Sequence, residues 1–318
     1  MTKDSAPQKT PSSVKRKTAE QTLNDICTRR PALAAVLSAF IPLYAAREAL
    51  VKTLRPMIPD VPELHDVSLE RLQNGVPLLT DASFDWVDVP FRAAFATLGP
   101  LLSCQPPLSE AVERFGKALD ETGPNGATPS RLAGVCLSGD ATGVERLAAD
   151  CGISPTMLVF LTHQTLGPVL HAAWQTQQPE VPFTSWREGN CPVCGSFPSL
   201  GFLNRPDATQ SEYAKGGGGR KFLHCSLCGY EWHFRRGACP ACANEDPGAI
   251  EFLRAPETPW ERIEFCRKCN TYVTGLDLRE SLDTPDMDAA ALGMMHLDLL
   301  AAKEGLHPLA PAFWNTFE

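Results

Sequence analysis

Eight of the chain's twelve cysteines form four Cys-x-x-Cys pairs between residues 191 and 269, and no other feature limits the fold so strongly. The pairs are Cys191/Cys194, Cys225/Cys228, Cys239/Cys242 and Cys266/Cys269. This spacing lets a tight turn, or knuckle, present two sulfurs to one ion while backbone amides hydrogen-bond them. Such a turn needs a residue tolerant of positive φ just after its second cysteine. Gly195, Gly229 and Asn270 stand at three of those places, and Ala243-Asn244 is the least regular. Two knuckles supply a four-thiolate tetrahedron, which suits zinc or a rubredoxin-type iron. The intervals between pairs are 30, 10 and 23 residues. Each longer interval fits a hairpin, and the short one fits a linker between modules. The spacing therefore favours sequential pairing: Cys191, Cys194, Cys225 and Cys228 on one ion, Cys239, Cys242, Cys266 and Cys269 on another. A crossed arrangement closes longer loops, at a slightly larger entropic cost.

Other readings of the pairs are weaker. A secreted disulfide framework would not gather its cysteines into CxxC pairs, and Cys27, Cys104, Cys136 and Cys151 stand singly, as small buried apolar groups would. A thioredoxin-like CxxC occurs once, at a helix N-terminus in an α/β pattern that this chain lacks. Zinc ribbons often bind nucleic acid, yet residues 187–280 carry 12 Lys plus Arg against 12 Asp plus Glu. With a net charge of -8 overall, the broad basic footprint of a nucleic-acid reader is missing. His224 and His233 lie near the thiols but are read as strand residues outside the ligand sets, because each set already has four cysteines. His163 and His171, eight apart on one helix, are read as core or interface residues. No Ser-His-Asp, paired-carboxylate or dinucleotide pattern stands out. The chain is read as a protein-binding factor and not as an enzyme.

With 43% hydrophobic and 21% charged residues in 318, the chain can bury a large core. Residues 1–18 read as a disordered basic tail, and 19–184 as an all-α domain. Leu33, Val36, Leu37, Phe40, Ile41 and Tyr44 recur at helical spacing; Ser109 is expected to cap one helix and Ser154-Pro155 to open another. From Trp186 the apolar period changes to two. Residues 185–236 and 237–283 read as two four-cysteine ribbon modules, with strands at Tyr230–Phe234, Ile250–Leu253 and Thr271–Thr274 and a flexible tip at Gly216–Gly219. Residues 284–318 close the chain with a helix, from 286 to 304, and a tail. The expected fold is thus a mainly α N-terminal helical domain plus two small β-rich rubredoxin- or zinc-ribbon-like modules and a C-terminal helix. Thr28-Arg29-Arg30 before the uncharged run 31–46 has the look of a twin-arginine signal, but Pro42 and the continuation into Arg47, Glu48 and Lys52 fit a soluble helix. A cytoplasmic location without membrane insertion is expected.

The stretch Leu223-His-Cys-Ser-Leu-Cys-Gly-Tyr-Glu-Trp-His-Phe-Arg-Arg-Gly-Ala-Cys-Pro-Ala-Cys242 resembles the centre of the formate dehydrogenase accessory protein family, FdhE. Cys191-Pro-Val-Cys-Gly-Ser196 resembles that family's first knuckle, and Cys266-Arg-Lys-Cys-Asn-Thr-Tyr272 its last. The close His307-Pro-Leu-Ala-Pro-Ala-Phe313 is also similar. The likeness is specific from about residue 186 onward. It implies a cytoplasmic metal-binding factor needed to form active formate dehydrogenase, with that enzyme's catalytic subunit as partner before export. It implies two metal ions, iron or zinc, one on each set of four cysteines, and no nucleic-acid partner. A rubredoxin-like electron carrier and a zinc-ribbon nucleic-acid binder are the alternatives.

Overall fold

The computed structural model describes residues 15–65, 67–121, 126–177, 183–205, 218–255 and 257–315. Residues 1–14 of the expected tail, and Gly216 and Gly217 of the expected hairpin tip, lie outside them. Among the described residues a short strand β1 (Lys15–Arg16) precedes the α-helices α1 (Ala19–Arg29), α2 (Pro31–Leu54), α3 (Pro62–His65), α4 (Leu69–Gln73), α5 (Asp88–Ser103), α6 (Ser109–Asp120), α7 (Pro129–Ser138), α8 (Ala141–Cys151) and α9 (Pro155–Gln177). Strands follow: β2 (Pro198–Leu203), β3 (Lys221–Cys225), β4 (Glu231–Phe234), β5 (Ile250–Arg254), β6 (Glu261–Cys266), β7 (Thr271–Asp277) and β8 (Asp283–Thr284). Helices α10 (Met287–Gly293) and α11 (Met295–Lys303) and strand β9 (His307–Pro308) complete the described chain. The helical first part, β-rich second part and short C-terminal helices match the expected fold class.

Local chemistry explains most boundaries. Thr18 and Gln21 form a reciprocal capping box at α1, each side chain accepting the other's backbone N–H at 3.1 Å. Ser154 Oγ accepts the Met157 N–H at 3.3 Å, and Pro155 begins α9 as expected. Ser109 departs from expectation: it is the first residue of α6, behind an N-cap of Leu108 with no side-chain cap. Leu108 already has right-handed backbone angles and is buried, so the preceding turn winds directly into the helix. Residues 15–18 are also ordered, contrary to the expected tail. Lys15 and Arg16 pair in parallel with Asp283 and Thr284, and Lys17 bridges Asp25 and Asp283 at 2.7 and 3.5 Å. The single C-terminal helix divides into two at Met294, which turns inward and is buried.

The two ribbons do not stand apart. Strands β2, β3 and β4 form an antiparallel meander, and β5, β6 and β7 form another. Parallel pairing of β2 with β7, from Leu200↔Thr274 to Leu203↔Asp277, joins them into one sheet in the order β4-β3-β2-β7-β6-β5. Helices α10 and α11 cover this sheet through Met287, Ala290, Met294, Leu297 and Ala301, packed on Leu200, Phe202, Ile263 and Tyr272. The larger apolar core runs from the helices (Leu37, Phe91, Phe115, Leu161) into the first ribbon, where it includes Leu223, Trp232 and all four of its cysteines.

Both arginines of the Thr28-Arg29-Arg30 motif work inside the fold. Arg29 lies 5.7 Å from the centre of the Trp260 ring, and Arg30 is ion-paired to buried Glu261. Among the described residues, the segment Pro31–Met57 is long and apolar enough to cross a membrane by length and composition. Here it packs Leu37, Leu43, Tyr44, Leu50 and Leu54 into the bundle, while Val36 faces outward.

A buried ion pair straps the two meanders together. Lys221 on β3 meets Glu264 on β6 across the two intervening strands, and Arg262 also binds Glu264, at 2.5 Å. The charges pass over Gly201 and Gly275, which are register partners at the β2–β7 seam. A Cβ on Gly201 would lie 3.5 Å from Lys221 Cε, and one on Gly275 would lie 3.4 Å from Glu264 Oε1. Burying such charges is tolerable only while they remain paired. Losing one partner of a buried pair typically costs roughly 3–5 kcal/mol; with Arg262 retained, Lys221→Met should lose about 2–3 kcal/mol in urea unfolding. A loss below about 0.5 kcal/mol, the range of an indifferent surface change, would mean that the strap does not hold the seam.

Candidate metal centres

Each meander is built as knuckle, two strands, knuckle, strand. Cys191 and Cys194 precede β2, Cys225 ends β3, and Cys228 leads into β4. In the second unit Cys239 and Cys242 precede β5, Cys266 ends β6, and Cys269 leads into β7. The hairpins thereby carry each late knuckle back against its early one. Knuckle backbone closes as expected: the N–H of Gly195, Ala243 and Asn270 donates to the carbonyl of Cys191, Cys239 and Cys266 at 2.9, 3.0 and 2.8 Å. Cys225 Sγ accepts from Leu227 and Cys228 N–H, and Cys239 Sγ accepts from Ala241 N–H, at 3.4–3.5 Å.

The eight thiols gather into two groups, Cys191/Cys194/Cys225/Cys228 and Cys239/Cys242/Cys266/Cys269, with the sulfurs of each group within 4.8 Å of one another. These are the sets of the sequential arrangement. Sulfur separations are 3.6 Å (191–228), 3.4 Å (194–225), 3.7 Å (239–269) and 3.8 Å (242–266). A tetrahedral ion with metal–sulfur bonds of about 2.3 Å places its ligands about 3.8 Å apart, so both donor sets fit such an ion. Disulfides, at about 2.05 Å, do not match these separations. Four thiolates suit zinc and iron alike.

The first group is sealed into the core, with its cysteines at most 4% exposed. Trp174 on α9 donates its indole N–H to the Cys228 carbonyl at 2.9 Å. The N–H groups of Leu78 and Leu79 clamp the first knuckle through the carbonyls of Pro192 and Val193, at 2.9 and 3.0 Å. Burial pushes the Cys191 and Cys228 thiols far up. Cys194 is equally buried, but hydrogen bonds from Cys191, Cys225, Cys228 and the Ser196 backbone hold it well down. The second group is more open: Cys242 is exposed and Cys269 is half-buried. Burial pushes Cys239 up to about 12, whereas hydrogen bonds from Thr271, Cys242 and Cys239 outweigh burial at Cys269 and bring it to about 7.

Neither nearby histidine completes a ligand set. His224 is buried and turns its ring to Asp288, at 2.8 Å, and Glu231, at 3.7 Å. Burial alone would lower its pKa, but the two carboxylates overcome this and raise it to about 10, while Asp288 falls to about 2. Asp288 also meets Arg47 at 3.4 Å, and Arg47 donates to Gln164. A charged network thus ties α2, α9, β3 and α10 together beside the first thiol group. Sequence reasoning missed Arg47, Gln164 and Asp288, because no local motif joins positions so far apart. His233 is exposed. Burial lowers both His163 and His171 to about 4, and His171 stacks on Trp174 with ring centres 5.1 Å apart. Among the single cysteines only Cys151 is buried; Cys104, just past the end of α5, is exposed, and Cys27 and Cys136 are half-buried.

A helical domain fused to a duplicated four-cysteine ribbon defines a class of cysteine-knuckle proteins with two candidate metal centres. Residues 190–236 match the family model "FdhE, central domain". The "Protein FdhE homolog" of Aquifex aeolicus is 33% identical over 157 residues, 48% of this chain and 50% of that one. Its counterpart in Stutzerimonas stutzeri is 30% identical over 164 residues, 50% of this chain and 48% of that one. The matched region therefore spans about half the length of these curated relatives. The crystal structure of the FdhE protein from Pseudomonas aeruginosa has the same fold, with a TM-score of 0.58 at 20% identity over 93% of both chains. Residues 190–236 of the chain thus carry an FdhE central domain, and about half of the chain is similar in sequence to FdhE homologs.

Helix α9 rests directly on the second knuckle. A Cβ on Gly167 would stand 2.8 Å from the Leu227 backbone carbonyl oxygen. Helix propensity alone makes Gly→Ala favourable by about 1 kcal/mol. Against a fixed backbone oxygen the sign reverses, so Gly167→Ala should lower the thermal midpoint. A raised midpoint would show that α9 does not bear on the knuckle.

Proposed function

We propose that this chain is a metal-binding accessory factor in formate dehydrogenase formation, acting in the cytoplasm on the catalytic subunit before export. Its eight paired cysteines would hold two ions, iron or zinc, one per group, and its work is to hold a client, with no reaction catalysed by the chain itself. The observation that carries the metal part is the pair of four-sulfur groups with tetrahedral spacing. The client part is supported by the FdhE central-domain match at residues 190–236 and by the similarity to FdhE homologs. We likewise read the chain as a helical unit (19–184), two ribbon units (185–236 and 237–283) and a closing segment (284–318).

The ions belong to the fold as much as to the function. A structural four-thiolate ion contributes on the order of 10 kcal/mol to folding, and the first group lies within the main core. Client recognition requires a protein interface of about 800 Å² or more per side. Trp232 is buried and Tyr230 packs edge-on against Trp174 and Phe183, so these two support the ribbon, whereas Arg235 is at the surface, paired with Glu245. The test is an anaerobic pull-down from cells that make formate dehydrogenase, using wild type and a Cys225→Ser variant, with metal analysis of each bait. Wild type should carry two equivalents of metal and recover the catalytic subunit, and the variant should do neither. Fewer than two equivalents in wild type, or unchanged formate dehydrogenase activity in a deletion strain, contradicts the proposal.

A further inference from the structure

The two thiol groups repeat the same topology in unlike surroundings. All four cysteines of the first belong to the apolar core, under Trp174 and the Leu78–Leu79 backbone clamp. Neither apolar core cluster includes a cysteine of the second. Ala241, Cys242 and Ala243 are exposed in succession, as are Arg267, Lys268 and Asn270 around the opposing knuckle. The backbone differs as well. The first group's knuckles end in Gly195 (φ 82) and Gly229 (φ 67), which adopt the left-handed conformation freely. The second group's end in Ala243 (φ 55) and Asn270 (φ 55); alanine bears a steric cost there, relieved whenever its knuckle opens.

We propose that the second group, Cys239/Cys242/Cys266/Cys269, is a metal-exchange site that opens at Cys242, and that the first group retains its ion for as long as the chain is folded. This rests on the reading that both groups bind metal. Exchange is a ligand substitution with a soft donor, a thiol of another molecule. The incoming thiolate bonds to the ion as Cys242 Sγ releases it, the freed Cys242 thiolate takes a proton from water, and nothing is oxidised or reduced. Cys242 leads because it is the most exposed of the eight ligands. Cys239 and Cys266, 2% and 1% exposed, cannot be approached until it has moved.

The full-length chain, loaded with zinc and shown to carry two equivalents, is mixed with excess pyridylazoresorcinol, and release is followed by absorbance. Cysteines freed at each time are alkylated with N-ethylmaleimide and located by mass spectrometry. One equivalent should leave roughly tenfold faster or more, as local opening of a weakly packed segment requires less than opening a core. Alkylation in the fast phase should fall on the second group, with Cys242 first, and spare Cys191, Cys194, Cys225 and Cys228. Ala243→Gly, which removes the strain and leaves every ligand in place, should slow the fast phase severalfold and leave the slow phase unchanged. Two equivalents leaving at a single rate, or a fast phase that alkylates the first group, would overturn the exchange proposal while leaving metal binding intact. Fewer than two equivalents at loading would overturn the metal reading and this proposal with it.

Discussion

Four thiols, those of Cys191, Cys194, Cys225 and Cys228, lie packed among leucines and aromatic rings, where a buried charge is costly unless it is paired, so a cation is the natural partner for their sulfurs. Burial pushes Cys191 and Cys228 up, hydrogen bonds from the neighbouring cysteines outweigh it at Cys194, and the N–H groups of Leu227 and Cys228 donate to Cys225 Sγ. Much of the surrounding structure acts to hold this arrangement. Helix α9 touches it at Gly167 and Trp174, the segment before α5 clamps it at Leu78 and Leu79, and the His224–Asp288–Arg47 network fixes it to α10 and α2. In this chain the four-cysteine knuckle pair is the floor of the helical domain.

The parallel β2–β7 seam accounts for the other half of the molecule. It lets two antiparallel meanders share one sheet, which offers α10 and α11 a surface that neither meander could provide alone. Parallel pairing at the junction requires side chains to be cleared from its middle, and the register places Gly201 beside Gly275 there. The space they leave is filled by Lys221, Glu264 and Arg262. The duplicated ribbon consequently has an inner unit joined to the helices and an outer unit held mainly by the sheet. That asymmetry is the physical basis for assigning different behaviour to two chemically identical ligand sets.

Much of this was legible in the sequence where the signal was local. The CxxC spacing located the eight cysteines, the alternation Tyr230-Trp232-Phe234 located a half-buried strand, and Ser154-Pro155 located the start of α9. Long-range facts were not legible. Strands β2, β3 and β6 lack clean alternation because both faces of the sheet are covered, so their burial is nearly continuous. Ser109 has the composition of a cap but lies inside a helix begun by the preceding turn. Arg47, Gln164, His224 and Asp288 come from four distant segments, and only tertiary structure makes them a network.

The central claim is that each ion has four sulfur ligands and no other. X-ray absorption at the metal edge of the anaerobically loaded chain tests it directly. The account predicts four sulfurs per metal at about 2.3 Å, averaged over both sites, with no nitrogen or oxygen shell. A light-atom ligand at about 2.0–2.1 Å would contradict it, by placing a histidine such as His224 or a water molecule where a cysteine is assigned.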